Sequence, residues 1–110
     1  MELKYYDLID EDGDSIKVAP IAMKYADNKT LAVYLYTEDM EPYADITVNI
    51  ENGIADYEMA YVDVNNFPWA EAFIKENGIG KPMGVVGRSG FCTYPLYFFN
   101  LDMMTQYEEE

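Results

Sequence analysis

"ADITVNIE" at residues 44–51, followed by Asn52-Gly53 and then by "DYEMAYVDV" at 56–64, is the stretch that decides the fold. Its alternation sets Ile46, Val48 and Ile50 on one side and Asp45, Thr47, Asn49 and Glu51 on the other. That is the pattern of a strand with one face on a core and the other in water. Asn-Gly supplies the pair of positive φ angles that tight hairpins favour. The stretch therefore predicts an antiparallel hairpin over 44–64.

Upstream, "TLAVYLYT" (30–37) carries apolar or aromatic residues on both faces: Leu31, Val33 and Leu35 against Ala32, Tyr34 and Tyr36. A strand covered on both sides belongs in the middle of a sheet. "IKVAPIAMKY" (16–25) reads as another strand, with Pro20 pointing to an edge or a bulge, because proline has no N–H for a ladder. "DNK" supplies a turn between these two strands.

Downstream the period changes. In "NNFPWAEAFIKENGIG" (65–80), Trp69 and Phe73 are four apart, as are Ala70 and Ile74. Asn66 fits an N-cap, Pro68 the first turn and Gly78 a left-handed stop, predicting a helix over about 67–77. "KPMGVVGRSG" (81–90) reads as a glycine-punctuated connection with a short strand at 84–87, and "FCTYPLYFFN" (91–100) as a strand pair or a strand bent at Pro95. The expected architecture is a single α+β domain spanning 1–110. An antiparallel sheet of about five strands carries one helix on a face, docked through Trp69, Phe73 and Ile74.

Charge narrows the function. The chain has 21 acidic residues against 7 basic ones, a formal charge of −14 over 110 residues. Direct binding to nucleic acid needs clustered Lys and Arg, so it is not expected, and an anionic membrane is disfavoured for the same reason. A basic protein surface would be attracted and its approach accelerated. The competing reading is that acidity only keeps a small domain soluble. No run approaches the ~18 apolar residues of a membrane span, no signal peptide is recognisable, and Cys92 stands alone, which together predict a cytoplasmic protein.

The chain has no histidine, which removes the His-dependent nucleophilic systems and the commonest transition-metal ligand. In "DLIDEDGDSIKV" (7–18), Asp10, Asp12 and Asp14 match the first three ligand positions of a helix-loop-helix calcium site. Ser15 then stands where that loop needs Gly, and Ile21 where it needs a bidentate Glu. A hairpin turn centred on Gly13 is the expectation, with no metal site. "GKPMGVVGRSG" (80–90) satisfies neither phosphate-binding glycine motif. Arg88, the lone arginine, is expected to pair with one of the many acids. Cys92, without a histidine to activate it, reads as a small packing residue. No cofactor is expected and no catalytic pair has a diagnostic spacing, so the protein reads as a non-enzyme.

Four stretches, "PYADITVNI" (42–50), "AYVDVNNFP" (60–68), "ENGIGKPMG" (76–84) and "SGFCTYPLYFFN" (89–100), resemble the domain-of-unknown-function family numbered 4313. The resemblance implies a small bacterial protein of mobile elements and phages, with no established activity to carry over.

Two functional expectations follow. The first is an interaction or inhibitor protein that engages a basic, nucleic-acid-handling partner by nucleic-acid mimicry, of anti-CRISPR or anti-restriction type. Its contact residues would be Asp10, Glu11, Asp12 and Asp14 on one loop and Glu38, Asp39 and Glu41 on another. The second is a structural or regulatory module that binds itself or another chain through Tyr34, Tyr36 and Tyr97. Oligomeric state stays open at this level.

Overall fold

The computed structural model describes residues 2–25, 30–50 and 58–107. Strands β1 (Tyr6–Ile9), β2 (Ser15–Lys24), β3 (Leu31–Thr37) and β4 (Pro42–Asp45) form an antiparallel sheet in that order. Near the C-terminus, β9 (Thr105–Gln106) adds to β2 in parallel, making five strands. A second sheet of four strands has the order β5 (Thr47–Val48), β6 (Met59–Val62), β8 (Cys92–Phe99), β7 (Gly80–Ser89). One helix, α1 (Ala70–Glu76), and a short 3-10 turn at Leu101–Met103 complete the α+β fold among the described residues. Among the described residues, no helix is long and apolar enough to cross a membrane.

A five-stranded sheet with one helix is the expected architecture; the second sheet is not legible in the alternation. Its origin is a single residue. The chain leaves the first sheet at Asp45, opposite Tyr34, and enters the second at Thr47, opposite Val62. Between them, the Ile46 N–H donates to the Val33 carbonyl (3.1 Å), while the Ile46 carbonyl accepts from the Asp63 N–H (2.8 Å). Ile46 thus bonds to both sheets, and its side chain is fully buried. The crossing also corrects the alternation: Thr47, expected in water, is only 3% exposed. Its Oγ1 accepts the Val33 N–H at 3.1 Å, so a side chain supplies the acceptor that a continuing strand would have offered.

The expected 44–64 hairpin survives as the antiparallel β5–β6 pair, Thr47↔Val62 and Val48↔Tyr61. The Asn52-Gly53 turn and the turn at 27–29 lie outside the described residues. Pro20 is neither at an edge nor in a bulge. It pairs opposite Leu35 inside the sheet, between the part of β2 that pairs with β1 (to Val18) and the part that pairs with β9 (from Ile21). A residue without an N–H is tolerated where that side of the strand has no described partner. β3 is interior, as its two-faced apolar pattern implies.

The helix starts three residues later than expected. Asn66 does not cap it; the Asp63 carboxylate instead accepts from the Asn66 N–H (3.3 Å) and the Asn66 Nδ2 (2.8 Å), holding 63–67 as a turn. At the C-terminus the reading holds. Gly78 has φ +66°, Ile79 N–H donates to the Ile74 carbonyl and Gly78 N–H to that of Lys75, a Schellman ending that a Cβ would strain. Ala70, Phe73 and Ile74 are buried with Leu8, Val33 and Leu35 of the first sheet, Val62, Tyr97 and Phe99 of the second, and Ile79 just before β7. Trp69 is only half-buried, and lies against Tyr43, Phe67 and Phe73 with ring centroids 5.4–6.5 Å away. It closes the rim of the core instead of filling it. Phe73→Ala should therefore cost about 3–5 kcal/mol and Trp69→Ala less, as read from urea-unfolding midpoints; the reverse order would put the indole, not the phenyl ring, at the centre of the core.

Candidate functional site

The sequence-predicted acidic residues sit on two turns. The β1–β2 turn is organised by Asp10, whose Oδ1 accepts the N–H groups of Asp12 and Asp14, both at 2.9 Å. Asp10 N–H donates to the Asp14 carbonyl and Gly13 N–H to that of Asp10, with Gly13 at φ +84°. This is the expected Gly13-centred turn, locked by an Asx interaction that favours aspartate at its first position. Asp10 is therefore half turned inward and structural, while Glu11, Asp12 and Asp14 are exposed.

The second turn joins β3 to β4. Thr37 Oγ1 and the Thr37 backbone tie it to Glu41 and Met40, and Met40 takes a left-handed φ of +63°. Glu38, Asp39 and Glu41 are all exposed. Sheet register puts both turns at the same end. β2 begins at Ser15, just after the first turn, and Val18 pairs with Thr37, just before the second. Electrostatics agree: burial and then the Asp10 charge raise the Tyr43 hydroxyl, and Glu38 adds to the Asp7 hydrogen bond and charge that raise Lys17. Lys17 donates to Asp7 Oδ1 at 2.8 Å, an exposed pair, so this cation is already engaged within the patch. Seven carboxylates and the exposed Ile9 and Met40 thus share one end of the five-stranded sheet.

Oxygens of Asp10, Asp12 and Asp14 lie within 4.8 Å of one another. One of them already serves two backbone donors, and the loop still lacks the Gly and bidentate Glu of a calcium loop. The three carboxylates concentrate negative charge on this turn.

The aromatic alternative divides. Tyr34 and Tyr36 are half-exposed on β3, but Tyr97 is fully buried, and its hydroxyl donates to Glu71 Oε1 at 2.6 Å. Burial, then that carboxylate, raises its pKa strongly. Tyr97 is a core residue and cannot present a contact surface.

Two further groupings escaped the sequence reading. At the crossing between sheets, Asp45 and Asp63 lie near Thr47 and Tyr25. The Tyr25 hydroxyl is 3.0 Å from Thr47 Oγ1, and burial first pushes its pKa up to about 12. Burial also raises Asp45, the hydrogen bonds from Thr47 lower it, and the charge of Asp63 raises it again. No linear spacing marks this cluster, since only the crossing assembles it. The second grouping is the β7–β8 hairpin, taken from sequence as a connection with a four-residue strand. It is a ten-residue strand paired to a continuous β8, with Met83, Val85, Val86 and Phe91 exposed. Arg88, expected in an internal ion pair, makes none among the described residues. Cys92 is half-buried beside Tyr94.

The model of the family described as Domain of unknown function (DUF4313) matches residues 21–110. No curated protein and no solved structure matches the chain.

These geometries give three expected outcomes. Asp10→Ala should destabilise by roughly 1–2 kcal/mol, as loss of a capping acceptor does, whereas Asp12→Ala leaves stability unchanged; calorimetric calcium titration of the wild type should show no micromolar one-to-one event. Because Asp45 is raised when folded, its contribution to stability is fully present below the ordinary carboxylate range and is lost as pH rises through its folded value. Asp45→Asn, which keeps an acceptor for Thr47, should unfold at a higher temperature than wild type at neutral pH and no higher near pH ~3. An equal gain at both would remove the ionisation argument.

Proposed function

The chain belongs to the DUF4313 family, for which no activity is defined, and we propose from its own surface that it is a non-enzymatic binding protein. Its acidic end engages a basic protein surface that otherwise holds nucleic acid. The observation that carries this is the register of β2 with β3, which brings Glu11, Asp12, Asp14, Glu38, Asp39 and Glu41 to one end of a rigid sheet. Duplex DNA presents one charge per ~1.7 Å of axis, and a competitor needs carboxylates spread over a face instead of crowded on one loop. Two turns on neighbouring strand pairs supply such a spread. Neutral Ile9 and Met40 among the acids offer apolar contact beside the charge.

The reading includes an inhibitory role in a mobile element, acting on a nuclease or another nucleic-acid-handling enzyme of the host. It also includes a reducing cytoplasm, consistent with one half-buried free cysteine. Asp10 acts here by holding the turn that displays its neighbours, so it is a positioning residue and not a contact.

The test is affinity capture from host lysate with and without competing duplex DNA, followed by binding kinetics with the captured protein. Asp12→Lys with Asp39→Lys should slow association strongly, since steering acts on encounter. Glu58→Lys with Asp102→Lys, in the cleft beside β7, changes net charge equally and should have a small effect. Equal effects of the two pairs would reduce the acidity to bulk charge, and capture unaffected by DNA would exclude mimicry.

A further inference from the structure

From Asn77 to Leu101 the chain has no aspartate or glutamate, although it carries 21 of them elsewhere, and it places Lys81 and Arg88 there. This acid-free stretch is the β7–β8 hairpin. β6 pairs with β8 only over Leu96–Phe98, while β7 continues alongside β8 from Val86↔Pro95 to Ser89↔Cys92. Among the described residues the distal half of the hairpin has backbone pairing only within itself, as a two-stranded ribbon turned at Gly90-Phe91. The Tyr61 and Ile50 side chains lie close to Gly87, and Asn65 Nδ2 donates to the Thr93 carbonyl at 3.3 Å. β7 is the edge of the sheet among the described residues, and along it Met83, Val85 and Val86 are exposed, with Phe91 fully exposed at the turn.

A two-stranded ribbon is marginal in water, and an open apolar edge strand is a template for another strand. The proximal part of β7 is blunted by Pro82 and by the register shift between Pro82 and Val86. The regular part, Val86–Ser89, is not. We propose that this chain self-associates through the ribbon, two copies pairing antiparallel along the open edge of β7 at Val86–Ser89, with Val85, Val86 and Phe91 covered between them. Charge selects the occupant. Each copy carries −14, so two copies repel wherever carboxylates face each other, and the hairpin is a long stretch of this chain that brings none to the contact. It also leaves the acidic end of each copy free.

Salt separates this contact from the acidic-end reading. Screening relieves repulsion between two anionic bodies, so self-association should tighten with added salt, whereas binding of a basic partner weakens. Sedimentation equilibrium of the purified chain over a micromolar-to-millimolar series should give a monomer–dimer equilibrium that strengthens with salt. Val86→Lys should weaken it at least tenfold, although it lowers the net negative charge. Phe91→Ser, at a fully exposed turn position, should weaken it without altering the circular dichroism spectrum. Ile9→Lys, at the acidic end, should leave it unchanged or tighten it. A wild type monomeric throughout, a dimer that neither hairpin variant weakens, one that Ile9→Lys disrupts, or one that loosens with salt would each overturn the proposal.

Discussion

Ile46 spends its two backbone groups on two different sheets, and most of the architecture follows from that. Had its N–H and carbonyl both stayed in the first sheet, 44–51 would be one long strand and the alternation of Asp45, Thr47 and Asn49 would face water. Instead the carbonyl turns to Asp63 and the strand direction changes. Val33 has its own two groups met by Ile46 and by Thr47 Oγ1, so a buried bend leaves no unmet donor or acceptor there. An unmet buried group costs about 1–3 kcal/mol, which is why a threonine and not a valine suits position 47. The same bend sets β6 and β8 so that Ala60, Val62, Tyr97 and Phe99 face Val33 and Leu35 across one core. The helix then seals that core with Phe73 and Ile74.

The elements whose signals are local were legible in the sequence. Gly78 ended a helix because only a left-handed residue completes that hydrogen-bond pattern, and Gly13 with Asp10 made a turn for reasons contained in five residues. β3 announced its interior place through two apolar faces. What local pattern does not encode is where a strand changes partner: Thr47 is polar, and nothing in "ADITVNIE" distinguishes a hydroxyl in water from one that caps Val33. Asn66 misled for a similar reason, since Asn and Asp at neighbouring positions both compete for the backbone, and Asp63 won it from the preceding turn. The exposed hairpin escaped because Gly84, Gly87 and Gly90 read as breaks, while β7 accommodates them as an irregularity, a close approach to Tyr61 and a turn.

The candidate site shows the same division. The seven acids could be picked out as two local runs of charge in the sequence, but the distinction between Asp10, which holds the turn, and Asp12, which only displays charge, required the geometry. Whether the two loops cooperate depended on the register of β2 against β3, a long-range property. Tyr97, an aromatic on an apolar strand, was indistinguishable in sequence from Tyr34 and Tyr36, yet it lies in the core bonded to Glu71. The folded chain segregates its surface: carboxylates gather on the turns of one sheet, while an acid-free apolar ribbon extends from the other. The first feature rests on the register of β2 with β3, the second on the pairing of β7 with β8.

Native-state hydrogen exchange at the amides of Val33, Ile46 and Asp63 tests the crossing between the sheets directly. If the crossing is the joint on which both sheets depend, these three amides open only with global unfolding, and share one exchange free energy equal to that from denaturant. Exchange of Ile46 or Asp63 at a distinctly lower free energy than Val33 would mean that the sheets part locally, and would contradict the account.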